Sequence, residues 1–207
     1  MMDEHFELFL EDMGPAIDKR HVPPSSIERF RGKLPDQLLA YWEEHGWCGY
    51  ADGLFWTVDP QEYEPVLEAW IGDTPFMETD AYRVIARSAF GELYLWGERT
   101  GESLRIFAPG SYYLPNEAIF KANELELGLR AFFSVRDREE NDFAELFNPT
   151  LAKLGQLMPD EMYGFVPALA LGGVVNLSRL KKVKAVEHLV FLAQLAPLDV
   201  MAPPTDF

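Results

Sequence analysis

The 207-residue sequence contains a single cysteine, Cys48, and lacks an apolar run long enough to cross a membrane. One cysteine cannot form an internal disulfide, and no basic-then-apolar leader opens the chain, so we expect a cytoplasmic protein in a reducing compartment. The longest apolar run, residues 165–175, contains a proline and two glycines. It is too short to span a bilayer, which argues against a membrane partner.

Basic residues are also scarce. The 18 Lys and Arg residues oppose 34 Asp and Glu residues, and residues 1–110 carry −12 of the net charge of −16. Nucleic-acid binding requires cations at phosphate spacing, so this balance argues against a direct nucleic-acid partner. The hydrophobic content of 48%, with 14% aromatics, nevertheless indicates a folded chain rather than a disordered one.

One segment, residues 34–82, has no Lys or Arg at all, and we call it the acidic stretch. It holds four of the five tryptophans and eleven carboxylates. Like charges repel one another and oppose the compact state, so this excess favours a basic partner that the field attracts, although solubility alone is an alternative explanation. The carboxylates are Asp36, Glu43, Glu44, Asp52, Asp59, Glu62, Glu64, Glu68, Asp73, Glu78 and Asp80.

Residue patterns typical of catalysis are weak throughout the sequence. The four histidines share no metal-ligand spacing, and His45 with Cys48 supplies only two candidate ligands. The pair Gly172-Gly173 lacks the lysine spacing of a phosphate loop and the pattern of a dinucleotide site. We therefore predict no enzymatic activity, no catalytic residue, no metal and no cofactor.

Hydrophobic periodicity predicts an α+β fold in which helices pack on an antiparallel meander and a mainly helical C-terminal unit follows. The division is residues 1–110 and 111–207, packed as one body, with a linker at 136–142 and a loose tail at 200–207. Predicted strands are 54–58, 82–88, 92–96 and 104–108. Predicted helices are 5–13, 25–32, 35–45, a segment from about 59 to 72, 116–135, 142–147, 149–157 and 178–195.

Four sequence motifs resemble the GAD-like domain: LPDQLLAYW at 34–42, GWCGY at 46–50, GLFW at 53–56 and ARSAFGELYLWG at 86–97. Two further runs, at 155–173 and 180–189, resemble the C-terminal domain of type VI secretion immunity proteins. The pairing implies an immunity protein that binds a cognate, basic nuclease (DNase) toxin and blocks it. The GAD-like name implies no decarboxylase or amidotransferase activity, and the resemblance fixes no inhibitory residue.

Candidate contact residues lie in the acidic stretch, where a turn punctuated by glycines at 46, 49 and 53 is predicted to present large side chains at the surface. The tryptophans also fit periodic segments, which favours core packing for each aromatic taken alone. The candidate set is Glu43, Glu44, Trp47, Tyr50, Asp52, Asp59, Glu62 and Glu64.

Basic residues crowd the predicted last helix, namely Arg179, Lys181, Lys182 and Lys184. They are open to interpretation as a solvated face, an internal counter-charge for the acidic half, or a second contact to a toxin carboxylate. Two other functions also remain open for the whole chain: an acidic adaptor for a different basic protein, and a small-molecule-binding or enzymatic domain.

Overall fold

The computed structural model describes residues 3–116 and 120–200, which form an α+β fold built on an eight-stranded, predominantly antiparallel sheet. The strand order is β1-β2-β3-β4-β5-β6-β7-β10, and a separate hairpin pairs β8 with β9. The strands are β1 (Ile17–Arg20), β2 (Trp47–Tyr50), β3 (Phe55–Thr57), β4 (Tyr82–Ser88), β5 (Glu92–Gly97), β6 (Gly101–Phe107), β7 (Tyr112–Pro115), β8 (Glu161–Phe165), β9 (Leu180–Lys184) and β10 (Asp199–Val200).

The helices are α1 (Glu4–Met13), α2 (Pro24–Phe30), α3 (Asp36–His45), α4 (Glu64–Ile71), α5 (Phe76–Thr79), α6 (Leu125–Ser134), α7 (Arg138–Asn141), α8 (Phe147–Leu154) and α9 (Ala185–Ala193). The predicted fold class is confirmed. The C-terminal region is helical, but it also contributes β7 and β10 to the main sheet, so the predicted meander extends beyond residue 110.

Helices cover both faces of the sheet, as the alternation along β3 makes clear. Consecutive strand residues point to opposite faces. Phe55 packs against Phe9 of α1 and Phe132 of α6, with ring centres 5.8 and 6.4 Å away. Trp56 faces the other way, where the Arg87 guanidinium lies 5.3 Å from its ring. The first face carries α1, α3 and α6, and the second carries α4, α9 and the β8–β9 hairpin.

The C-terminal elements are held to the sheet by specific hydrogen bonds as well as by apolar packing. The Trp70 indole N–H on α4 donates to the Leu189 carbonyl on α9 at 3.1 Å. The Tyr163 N–H on β8 donates to the Ala89 carbonyl at 2.8 Å. A single hydrophobic core runs through both regions of the described chain.

Three sequence-based predictions are wrong. The segment 46–53 is a turn only at residues 51–53, where Asp52 alone is exposed, because residues 47–50 form the buried strand β2 between β1 and β3. The predicted last helix begins with strand β9, and only residues 185–193 are α-helical. The predicted linker 136–142 contains a helical turn, α7, and the buried side chains of Arg136 and Asn141.

Smaller differences concern the segments around these elements. Of the predicted helix 142–147, residues 143–145 form a short 3-10 turn with positive φ at Ala144 and Glu145, and Phe147 begins α8. The predicted helix at 116–135 is α-helical only over α6, and its residues 117–119 lie outside the described part of the chain. Of the predicted tail, Val200 pairs in β10, and residues 201–207 are outside the described part as well.

Candidate partner-binding surface

Most carboxylates of the acidic stretch are exposed. Of the eleven, only Asp59 and Asp80 are buried, at 9% and 5% exposure. Among the described residues, two exposed members pair with an arginine: Glu62 with Arg20 and Asp52 with Arg138. The other seven have no Lys or Arg within ion-pair distance in the part of the chain that the structure describes: Asp36, Glu43, Glu44, Glu64, Glu68, Asp73 and Glu78.

Five of these carboxylates lie on two helices on opposite sides of the sheet, three on α3 and two on α4. The edge strand β1 connects the two groups. Its Lys19 ammonium donates to the Glu44 carbonyl at the end of α3. Its Arg20 guanidinium binds both Glu62 oxygens, at 2.8 and 3.0 Å, just before α4. The chain segments that carry Glu43, Glu44, Glu62 and Glu64 therefore flank this edge, and we call these four residues the edge carboxylates.

Lys19 and Arg20 are functional neighbours that sequence reasoning missed. They lie outside the acidic stretch in the sequence, and the antiparallel pairing of β1 with β2 brings them to it, with Arg20 opposite Trp47. Pairing between strands that are far apart in the chain leaves no recognisable pattern in the local amino-acid sequence. A partner approaching this edge meets two cations among the carboxylates, so the positive charge of β1 reduces the local field.

The two aromatic candidates belong to the core. Trp47 is 5% exposed and packs edge-on against Trp42 at 5.8 Å, with the Arg20 guanidinium 5.6 Å from its ring. Tyr50 is 1% exposed and packs against Phe9 at 4.7 Å, and burial raises the pKa of its hydroxyl. All five tryptophans are at most 5% exposed, which confirms the core-packing interpretation.

Two acidic candidates do not belong to the edge carboxylates, Asp59 because it is buried and Asp52 because it lies elsewhere. Asp59 accepts a hydrogen bond from the Gln61 N–H at 3.0 Å, and burial raises the pKa of its carboxyl. Asp52 follows β2 at the tip of the β2–β3 hairpin, the end away from Trp47 and Arg20. It pairs with Arg138 of α7 at 3.0 Å, so this charge is partly compensated within the molecule.

A second group of charged residues is buried between β5, β6 and the helices α6 and α7. The Arg105 and Arg136 guanidinium carbons each lie 5.1 Å from the Tyr94 ring centre. Arg105 binds Glu102 at 2.7 Å and also contacts Glu140, which binds Arg136 at 2.8 Å. Burial raises the pKa of the neighbouring Glu92 to about 7, although Arg105 opposes that shift.

A cavity of about 510 Å³ lies beside this charged cluster, within the size range of small-molecule sites. Its walls include Trp96, Leu125 and Phe132, together with Arg105 and Glu102. The Trp96 indole N–H has no hydrogen-bond partner among the described residues. The polar wall of the cavity includes two arginines, Arg105 and Arg136, that each pair with a carboxylate.

The histidine–cysteine pair does not form a metal site in the described residues, where no group of three or more His, Cys, Asp or Glu side chains is placed to hold an ion. Cys48 is fully buried, and burial raises the pKa of its thiol. The His45 ring stacks on Phe6 at 4.6 Å, and burial lowers the pKa of its imidazole. Within residues 3–116 and 120–200, no helix has the length and apolar character needed to cross a bilayer.

Comparison with known families gives two adjacent matches. The model of the GAD-like domain matches residues 4–110, more than half of the chain. The chain belongs to the GAD-like domain family. The GAD-like part is followed by a match to "T6SS immunity protein Tdi1, C-terminal" over residues 127–196, which supports an immunity function. The acidic stretch lies entirely within the GAD-like match, and α6 to α9 lie almost entirely within the second.

Among solved structures, this GAD-like protein is similar to one described as "Crystal structure of Atu4351 from Agrobacterium tumefaciens". The two superpose with a TM-score of 0.84 over 97% of this chain and 95% of the other, at 21% sequence identity. At that identity the similarity concerns the fold alone. A search of curated proteins gives no match.

Proposed function

We propose that this chain is an immunity protein that binds a cognate type VI secretion nuclease (DNase) toxin and neutralises it by stoichiometric inhibition, without turnover. The match of residues 127–196 to an immunity-protein family supports the class of function. The observation that carries the finer proposal is the set of seven exposed carboxylates with no Lys or Arg within ion-pair distance in the described chain. A nuclease presents cations to its phosphate substrate, and an acidic surface competes for them.

The edge carboxylates are the part of this surface to which we assign the first encounter with the toxin. Glu43 and Glu44 occupy the last turn of α3, and Glu44 is 64% exposed. Because exposed charges act mainly through the long-range field, we expect them to accelerate association more than they slow dissociation. Trp47, Tyr50 and Asp59 are not expected to contact the toxin directly, because they are buried.

The experiment is the paired charge reversal Glu43→Lys and Glu44→Lys, with association to the purified, nuclease-inactivated toxin measured at low and at high salt. We expect association at low salt to slow by about tenfold and its salt dependence to flatten. A matched control is Glu11→Lys with Asp12→Lys, which reverses two exposed acids in the last turn of α1 and changes the net charge equally. An unchanged association rate in the first variant, or an equal slowing in the control, would contradict the assignment.

The cavity beside Trp96 favours a second candidate function, the binding of a small molecule. It combines apolar walls with a few polar groups, as ligand sites do. A screen of small aromatic compounds by thermal shift tests it. Stabilisation that the Gly128→Leu variant abolishes would favour this candidate, because Gly128 lines the cavity.

A further inference from the structure

The hairpin formed by β8 and β9 presents an apolar loop to solvent. Four large apolar side chains in residues 166–175, which we call the hairpin loop, are exposed: Val166 at 37%, Leu171 at 58%, Val174 at 57% and Val175 at 50%. Single exposed apolar residues are normal, but four within ten residues form a patch of the kind that marks protein interaction sites.

The backbone of this loop is fixed by its own contacts. The Val166 N–H donates to the Arg179 carbonyl at 2.8 Å, and the Gly173 N–H donates to the Ala168 carbonyl at 3.1 Å. A Cβ atom at Gly173 would lie 2.2 Å from the Pro167 carbonyl oxygen, so the turn leaves no room for a side chain there. Ala168 is buried at 4% exposure and anchors the loop to the core. The backbone of residues 166–173 is therefore ordered before any partner arrives, which lowers the entropy cost of binding.

The charge around the loop is opposite to that of the rest of the protein. Residues 162–186 contain no carboxylate and four cations. Two of the cations are compensated, Lys182 by Glu161 and Lys184 by Asp160. Arg179 and Lys181 are exposed and have no carboxylate within ion-pair distance among residues 3–116 and 120–200. The loop is thus an apolar patch bordered by uncompensated positive charge.

The two family matches indicate why this patch is relevant to toxin binding. The match named for immunity covers residues 127–196, which include the hairpin loop, whereas every residue of the acidic stretch falls in the GAD-like match. If the acidic edge alone bound the toxin, the part of the chain named for immunity would contribute no contact. The hairpin loop is an exposed, preformed surface in that part.

We propose that the hairpin loop, with Arg179 and Lys181, binds an apolar groove bordered by carboxylates on the same toxin that the edge carboxylates attract. This inference rests on the proposed function and assigns association with the toxin and retention of the toxin to two different surfaces. The acidic edge accelerates encounter, and the desolvated apolar side chains slow release. The toxin is a better occupant than a second copy of this chain, because two molecules that each carry a net charge of −16 repel each other.

The test measures dissociation of the full chain from the purified, nuclease-inactivated toxin, for the double variant Leu171→Asp and Val174→Asp. We expect dissociation at least about tenfold faster than for the unmodified chain, with little change in association at low salt. The control is Leu8→Asp on α1, which introduces a carboxylate at a comparable apolar side chain, 50% exposed. It should dissociate at the unmodified rate. Thermal melting verifies that each variant folds.

Two further measurements distinguish failure of this inference from failure of the proposed function. Reversal of Arg179 and Lys181 to Glu should also accelerate release, whereas reversal of the exposed pair Arg29 and Lys33 should not. Hydrogen exchange in residues 166–175 should slow when the toxin binds. Unchanged release and unchanged exchange in a complex that does form would overturn this inference and leave the proposed function intact. Absence of any binding by the unmodified chain would overturn both. A dimer of this chain that Leu171→Asp dissolves would assign the loop to a second copy instead.

Discussion

Replacement of Arg87 is the most stringent test of how the GAD-like part and the C-terminal part of this protein are joined. Arg87 is fully buried on β4, at 0% exposure, and no carboxylate pairs with it in the described chain. Its guanidinium donates four hydrogen bonds: to the Tyr63 hydroxyl at 2.7 Å and to the carbonyls of Ser88 at 3.2 Å, Pro159 at 3.0 Å and Glu161 at 2.7 Å. Tyr63 and Ser88 belong to the GAD-like part and the other two acceptors to the C-terminal part.

The perturbation is Arg87→Met, which preserves much of the volume and removes every donor. The substitution leaves buried acceptors without hydrogen-bond partners, and each unpaired acceptor destabilises the fold by about 1 to 3 kcal/mol. Part of this destabilisation is offset because a buried charge is removed. The stacking on Trp56 at 5.3 Å is lost as well. We therefore expect a net destabilisation of about 3 kcal/mol, which corresponds to about 6 to 12 °C in melting temperature for a chain of this size.

The assay is urea denaturation followed by tryptophan fluorescence, with Arg31→Met as the control. Arg31 is exposed, and Glu28 is its one ion-pair partner in the described chain, so its replacement should cost less than about 0.5 kcal/mol. Arg87→Lys should remain destabilised, because one ammonium cannot reach acceptors on three elements. A stability of Arg87→Met within about 0.5 kcal/mol of the unmodified protein would refute the reasoning, since it would mean that these hydrogen bonds contribute nothing net.

Two carboxylates with opposite pKa shifts give the remaining predictions. Burial raises the pKa of Glu92 from 4.5 to about 7, so the folded state retains a proton that the unfolded state loses, and stability falls as the pH rises through that window. Glu92→Gln removes this loss. Its free energy of unfolding relative to that of the unmodified protein should increase by about 3 kcal/mol between pH 4.5 and about pH 7. A difference that does not vary with pH would contradict the shift in the pKa of Glu92. Burial opposes ionisation of Asp80, but hydrogen bonds from Thr100, Arg99 and Ala81 lower the pKa of its carboxyl overall. The ionised carboxylate therefore stabilises the fold at a pH above the ordinary pKa of an aspartate, and this stabilisation disappears as the pH falls through the lower pKa of the folded state. Asp80→Asn should cost about 2 kcal/mol at neutral pH in urea denaturation, whereas the exposed control Asp73→Asn should cost almost nothing; equal costs would show that the hydrogen bonds to Asp80 are not responsible.

The amino-acid sequence alone determined the features that depend on neighbours along the chain. The spacing of Phe6, Phe9 and Met13 predicted α1, and Gly46, with φ of +77°, ends α3 as expected from its freedom of conformation. The strands around Gly91 follow from apolar runs joined by a turn that requires positive φ. The family resemblance also came from contiguous motifs, and both family matches confirm it.

Burial and charge pairing depended on the tertiary structure instead. The glycine-rich segment 46–53 has the composition of a surface turn, but pairing with β1 and β3 makes residues 47–50 an interior strand, and Trp47 and Tyr50 enter the core with it. The cations of β9 lie on a strand that pairs with β8, and two of them meet Glu161 and Asp160. Lys19 and Arg20 reach the acidic stretch through β1–β2 pairing. Each of these contacts joins residues far apart in the chain, and only the packing of the whole sheet brings them together.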